Sequence, residues 1–167
     1  FELIFYSFIS VASILGILYT IFIGNIIVVG KNGYFIKNHD VNPELSEIFS
    51  SFKGNYLNVV KIMFLMDLKT LLWLFLFIVP GVIKAYEYSM IPYLLAENPN
   101  LSASEAFSLS KQMTTGQKMD LFVLDLSFLG WIILGLICCG IGILFVLPYP
   151  EATKAEVYLI LKESVKI

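Results

Sequence analysis

The chain has 167 residues, 58% of them hydrophobic and only 14% charged, with a net charge of −2 and a mean hydropathy of +0.83. A soluble domain carries about 25% charged residues, so this chain lacks the polar surface to face water on all sides. All 11 basic residues are lysine, and without arginine's bidentate fork we expect no nucleic-acid partner.

Leu3–Val29 runs 27 residues without a charge. At about 1.5 Å per residue it makes roughly 40 Å of helix, more than the ~30 Å of a bilayer's hydrocarbon core. It is too long for a signal-peptide core and has no basic flank before it, so cleavage is not expected. Phe1 is not an initiator methionine, which suggests a fragment or processed form with a helix missing upstream. Ala12, Gly16, Thr20 and Gly24 recur every fourth residue and predict a stripe for close helix packing.

Gly30–Asn42 reads as a polar connection holding Lys31, Lys37, His39 and Asp40. A short amphipathic helix is predicted over 43–53, with Asp40 or Asn42 as cap and Pro43 in the first turn. Leu45, Ile48, Phe49 and Phe52 share its apolar face. That face lies either on the bilayer surface or on the protein's own bundle. Asp40, Glu44 and Glu47 are read as capping and dipole partners rather than cation ligands, and His39, the chain's one histidine, as a solvated loop residue.

The second predicted span, 57–79, carries Lys61, Asp67 and Lys69. Pro80-Gly81 follows, and a third apolar stretch, 82–96, holds Lys84, Glu87 and Pro92. Pro80-Gly81 is either the turn of a helical hairpin or a kink in one long helix. Ser102 and Glu105 form the S-x-x-E pattern of a capping box and open an amphipathic helix over 102–113. The predicted spans 119–138 and 141–160 flank Gly140-Ile141-Gly142, with Asp125 inside the first and Pro148-Tyr149-Pro150 inside the second. Cys138 and Cys139 read as small buried residues rather than a redox pair.

Two hairpins place Lys31, Lys37, Lys53, Lys111, Lys118, Lys162 and Lys166 on one side, as cytoplasmic loops require. A three-span alternative splits them. We expect five spans and a multi-pass protein of the inner membrane.

The charges at membrane depth are Asp67, Lys84, Glu87 and Asp125. Each left unpaired at the bilayer centre costs about 3 kcal/mol. Lys84 and Glu87 stand at i, i+3 and can pair, with Asp125 as a second acceptor for Lys84. Together they mark either a polar path or charges near the two interfaces, Lys84 and Glu87 by the outer turn. No Walker loop, G-x-S-x-G or H-E-x-x-H is present, so no catalytic residue, cofactor or metal is expected.

The strings PGVIKAYEYSMIPYLLAENPNLSASEAFSLSKQM, LDLSFLGW and GIGILFVLPYPEATKAEVY resemble an uncharacterised bacterial integral-membrane family, domain of unknown function 975. The resemblance covers the chain from about Gly24 onward. Pro150 departs from it, and the lysine-rich N-terminus and further helix usual in that family are not seen here. It implies a multi-pass bacterial inner-membrane protein and brings no activity, cofactor or site residue. The expectation is an all-α polytopic bundle of about five spans with short amphipathic helices. Its expected function is non-enzymatic: binding membrane lipids or another membrane protein, including copies of itself. The alternative is a transporter with a polar path around Lys84, Glu87 and Asp125.

Overall fold

The computed structural model describes residues 2–137 and 146–165. Every regular element among them is helical. Helix α1 (Glu2–Tyr19) passes through a π-helical turn (Thr20–Gly24) into α2 (Asn25–Asn38) with helical backbone throughout. A π turn displaces the hydrogen-bond ladder. The Tyr56 hydroxyl donates to the Phe22 carbonyl there at 2.7 Å.

The polar connection expected from Gly30 is therefore mostly helix. The reason is tertiary. Ile26, Val29 and Ile36 are buried among other helices, while Lys31 pairs with Glu151 of the last helix at 2.7 Å. Gly30 lets the following segment dock. A Cβ there would sit 1.8 Å from the Ile48 carbonyl oxygen.

That segment, Leu45–Phe52, is a 3₁₀ helix rather than the α-helix expected over 43–53. Its backbone leans on α2, and Ser51 is its buried residue. The predicted apolar face does not pack on the bundle, because Leu45, Phe49 and Phe52 are exposed. Phe52 stacks on Tyr56 at the start of the next helix.

Helices α3 (Tyr56–Leu76) and α4 (Ile78–Tyr88) form an antiparallel hairpin. The turn is the single extended residue Phe77 (φ −155°, ψ 134°), three residues before Pro80. Pro80 thus falls in the first turn of α4, where a missing N–H costs little. Gly81 permits the close return, since a Cβ on it would lie 2.7 Å from the Leu74 Cα. The hairpin reading is thereby the one the structure adopts, not the kinked helix.

A turn at Ser89-Met90 leads into α5 (Ile91–Glu97), with Pro92 in its first turn and five residues buried. Helix α6 (Ala103–Thr114) begins at the predicted capping box. The Glu105 N–H donates to the Ser102 hydroxyl at 3.2 Å, and the Ser102 N–H to the Glu105 carboxylate at 2.9 Å. Gly116, at φ +86°, turns the chain into α7 (Lys118–Ile137). Helix α8 (Pro148–Val165) packs on α2 and α6 and reaches α7 through the Lys154–Asp125 pair, with Pro148 and Pro150 accommodated in its first turn. Cys138, Cys139, Gly140, Gly142 and Lys166 lie outside the described residues.

The cap makes one prediction. Hydrogen bonds from the Ser102 side chain and backbone hold the Glu105 carboxyl below its ordinary value. A depressed carboxylate stabilises above its unfolded pKa, and that contribution is lost as pH falls through the folded value. Ser102→Ala is expected to cost about 1 kcal/mol near neutral pH. Calorimetry in detergent should show the deficit shrinking below about pH 4.5, and an undiminished deficit at lower pH would contradict the reciprocal cap.

Two core clusters sit at one end of the molecule. The first joins α2, α3, α5 and α6 through Ile26, Val29, Ile62, Met63, Ile91 and Ala106. The second joins α2, α5, α6 and α8 through Ile36, Tyr93, Leu94, Met113, Ala155 and Tyr158. Beyond this base project α1, the tip of the α3–α4 hairpin and most of α7. Their apolar side chains are exposed: Phe8, Leu15 and Ile17 on α1, Leu76, Ile78 and Val79 at the tip, Val123, Trp131 and Leu136 on α7. Among the described residues two helices, Phe5–Asn38 and Lys118–Leu136, are long and apolar enough to cross a membrane.

Candidate functional site: a charged network at the base of the helices

Glu87 is the buried acid of the base, 5% exposed. Its carboxylate accepts from Lys84, one helical turn away on α4, and from Lys118 at the start of α7, both at 2.7 Å. Its backbone carbonyl accepts from the Ser110 hydroxyl of α6 at 2.7 Å. One residue thus ties three helices. The expected Lys84–Glu87 pair is present. Glu87 is not by the outer turn, because Lys118 belongs to the base and the hairpin tip at Phe77 lies about 15 Å of helix away. The Lys84 ammonium also lies 5.7 Å from the Trp73 ring centroid and 5.8 Å from that of Tyr88, within cation–π reach.

Asp125 is not the second acceptor for Lys84. It pairs with Lys154 of α8 at 2.7 Å and accepts from the Tyr86 hydroxyl at 3.0 Å. Adjacent residues on a helix point about 100° apart, so Tyr86 and Glu87 of α4 meet different partners. Asp67 is separate again. It accepts from the Asn25 amide at 2.7 Å, which bridges α3 to the start of α2. The four charges expected to form one cluster therefore occupy three places.

The other residues singled out by the sequence fall as follows. Ala12 and Gly16 on α1 and Thr20 at the start of the π turn are exposed, and a Cβ on Gly16 would meet no neighbour within 4 Å. Gly24 is at the end of the π turn, with Thr20 donating to the Gly16 carbonyl. Pro80 and Gly81 shape the hairpin return, Pro92 opens α5 and Pro148 opens α8. His39 follows α2 and faces Asp40 at 2.7 Å and Glu156 of α8 at 3.6 Å. The hydrogen bond to Asp40, then the charge on Glu156, raise its pKa above the usual histidine value. Glu47 is paired with Lys37, which lowers its pKa, and Glu44 accepts from Ser46. Among the described residues no three His, Cys, Asp or Glu side chains group as a metal site requires.

The sequence reading missed a half-open cavity of about 220 Å³ between α2, α4–α5, α7 and α8, largely apolar in surface but edged by charges. Its polar lining includes Lys31, Asn32, Tyr86, Asp125, Glu151 and Lys154, and Val28, Leu121 and Leu124 contribute apolar walls. Two ion pairs edge it: Lys31–Glu151 and Asp125–Lys154, each at 2.7 Å. Glu151 and Lys154 stand at i, i+3 on α8, so the charges alternate along the cavity wall. That spacing was readable, but its opposite numbers on α2 and α7 were not. A second junction at the base pairs Glu97 with Lys162 at 2.6 Å and with the buried Tyr158 hydroxyl at 2.6 Å.

The model of a family described as "Protein of unknown function (DUF975)" matches residues 78–164, from α4 through α8. This is a shorter stretch than the resemblance from Gly24 onward. No curated protein and no solved structure matches the chain.

Proposed function

The chain belongs to the DUF975 family, and since the family carries no assigned activity we propose from the residues a non-enzymatic, multi-pass membrane component that binds lipid or a partner membrane protein. One observation carries this reading. Exposed apolar side chains gather on α1, the α3–α4 tip and α7, whereas the paired charges gather in the base. In water such apolar surface would drive aggregation, and in lipid it is the ordinary outer face of a helix. The base also holds Lys31, Lys37, Lys111, Lys118 and Lys162. Lysine on short loops near membrane ends favours the cytoplasmic side of the bacterial inner membrane. The reading keeps about five crossings, over 3–29, 57–79, 82–96, 119–138 and 141–160, with α5 and the charged part of α8, which pack in the base, at the membrane's edge.

Binding is favoured over chemistry because the charges are spent on one another. Glu87, Asp125, Glu97 and Glu151 each face a lysine, and these pairs hold helix to helix. Transport is the second reading, and the cavity beside Asp125 is what favours it. Its path would run past Asp125, Lys154 and Lys31 rather than past Lys84 and Glu87 alone.

Topology and flux test the proposal together. In a Cys138→Ser/Cys139→Ser background, single cysteines at Asn38, Ser104 and Ser164 are expected to react with a membrane-impermeant maleimide from one side. One at Val79, on the hairpin tip, is expected to be shielded or to react from the other. Asn38 and Ser104 reacting from opposite sides would overturn the arrangement. Proteoliposomes that pass a solute or ion gradient lost on Asp125→Asn would replace binding by transport.

A further inference from the structure

Asn32 is 5% exposed, lines the cavity between α2, α7 and α8, and its side-chain amide has no hydrogen-bond partner in the protein. Among the described residues no fully buried side-chain nitrogen or oxygen lacks a partner, so the Asn32 amide opens onto the cavity and is not sealed in the core. Glu87, Ser110 and Thr114, buried as deeply, are satisfied within the fold. The cavity far exceeds the ~10–15 Å³ that one water requires. The open amide is therefore aimed at whatever fills that space.

We infer that this cavity is a binding site for a small zwitterionic group, an ammonium and an anionic oxygen group joined in one ligand, as in the head of an ethanolamine phospholipid. The argument is charge balance. The wall offers two ammoniums, Lys31 and Lys154, and two carboxylates, Asp125 and Glu151. All four side chains are partly accessible, between 33% and 40%, so each can turn from its present partner to a ligand. A purely anionic ligand that took the lysines would leave two carboxylates unpaired beside it. A cation would strand the lysines. Only a ligand carrying both signs exchanges each pair for a new one and leaves no charge alone. The Asn32 amide, both donor and acceptor, can then serve either end.

The apolar part of the wall makes the lipid head the better fit of the two sources. Val28, Leu121 and Leu124 line it, and α7 continues from there with exposed Phe122, Val123 and Leu126. A head among the charges would thus leave its chains on the apolar flank of α7. This step rests on the membrane reading above. A free zwitterion such as an amino acid shares the headgroup chemistry but has no use for that flank.

The test uses the full chain in a neutral detergent and follows its thermal midpoint. Short-chain phosphatidylethanolamine, short-chain phosphatidylglycerol and free phosphoethanolamine are titrated separately. The ethanolamine lipid is expected to raise the midpoint saturably. Its apparent affinity is expected to fall about tenfold in Asn32→Leu and in the charge-neutral pair Lys31→Met/Glu151→Leu. Free phosphoethanolamine acting as well as the lipid, and failing in the same variants, would keep the zwitterion site and make its ligand a solute. An equal response to the anionic glycerol lipid, or variants that respond like the parent, would overturn the inference. Quenching of Trp131 by brominated lipids in the same samples separates the two levels. Quenching without headgroup preference removes the site alone, and no quenching removes the membrane reading.

Discussion

Glu87→Leu is expected to destabilise the protein by about 3–5 kcal/mol, the cost of leaving buried charge without its partner. The carboxylate faces two lysines, Lys84 and Lys118. Its loss therefore strands an ammonium on α4 and another on α7. Removing the charges together is a different matter, because a buried ion pair replaced by apolar groups of similar volume is often neutral. Lys84→Met with Glu87→Leu is expected to recover only part of the loss, since Lys118 remains. The triple change, with Lys118→Met, is expected to approach the parent. Denaturation in mixed micelles, followed by helical circular dichroism, measures all three. A double variant as stable as the triple would show that Lys118 finds solvent and contributes nothing to the junction.

Gly30→Ala is the second large effect. The new Cβ would stand 1.8 Å from the Ile48 carbonyl oxygen and 2.8 Å from its carbonyl carbon. Both are backbone atoms, so no rotamer change relieves the clash, and α2 and the 3₁₀ segment must separate by more than an ångström. Overpacking in a closed core costs about 1–3 kcal/mol. Here the upper end is expected, because the displaced element carries the whole 45–52 turn. Gly16→Ala is the control. It meets open space, and alanine's helix propensity exceeds glycine's by about 1 kcal/mol, so no loss is expected. Hydrogen exchange should show faster exchange over residues 45–52 in Gly30→Ala and unchanged exchange there in Gly16→Ala. Unchanged protection in both would mean the segment does not depend on Gly30 for docking.

The two cases show different routes from sequence to structure. Glu87 was legible as a costly charge and Lys84 as its partner, because i, i+3 spacing is a local fact. Lys118, 31 residues further on, was not, because nothing in the spacing tells which helices will meet. Gly30 carried no signal of its own. It read as the start of a loop, and only the approach of Ile48 explains it.

The sequence by itself determined what local physics determines. Apolar runs gave helices, the capping box fixed the start of α6 at Ser102, and Pro80-Gly81 marked a turn or a kink, of which the structure makes the turn, at Phe77. Family membership was readable in the strings between Pro80 and Tyr158, which the match over residues 78–164 encloses, whereas the expected stretch from Gly24 to Phe77 lies outside it. The tertiary structure decided everything that depends on which helices face each other. It extended α2 through Gly30-Lys31-Asn32, because burial and the Lys31–Glu151 pair outweigh a polar composition. It gave Asp125 to Lys154 and Tyr86 instead of Lys84. It also made the cavity, whose wall draws on residues from Val28 to Val157. Periodicity and capping act over a few residues and can be read one segment at a time. Charge pairing and cavities arise between segments, where the choice of partner belongs to the packing of the whole chain.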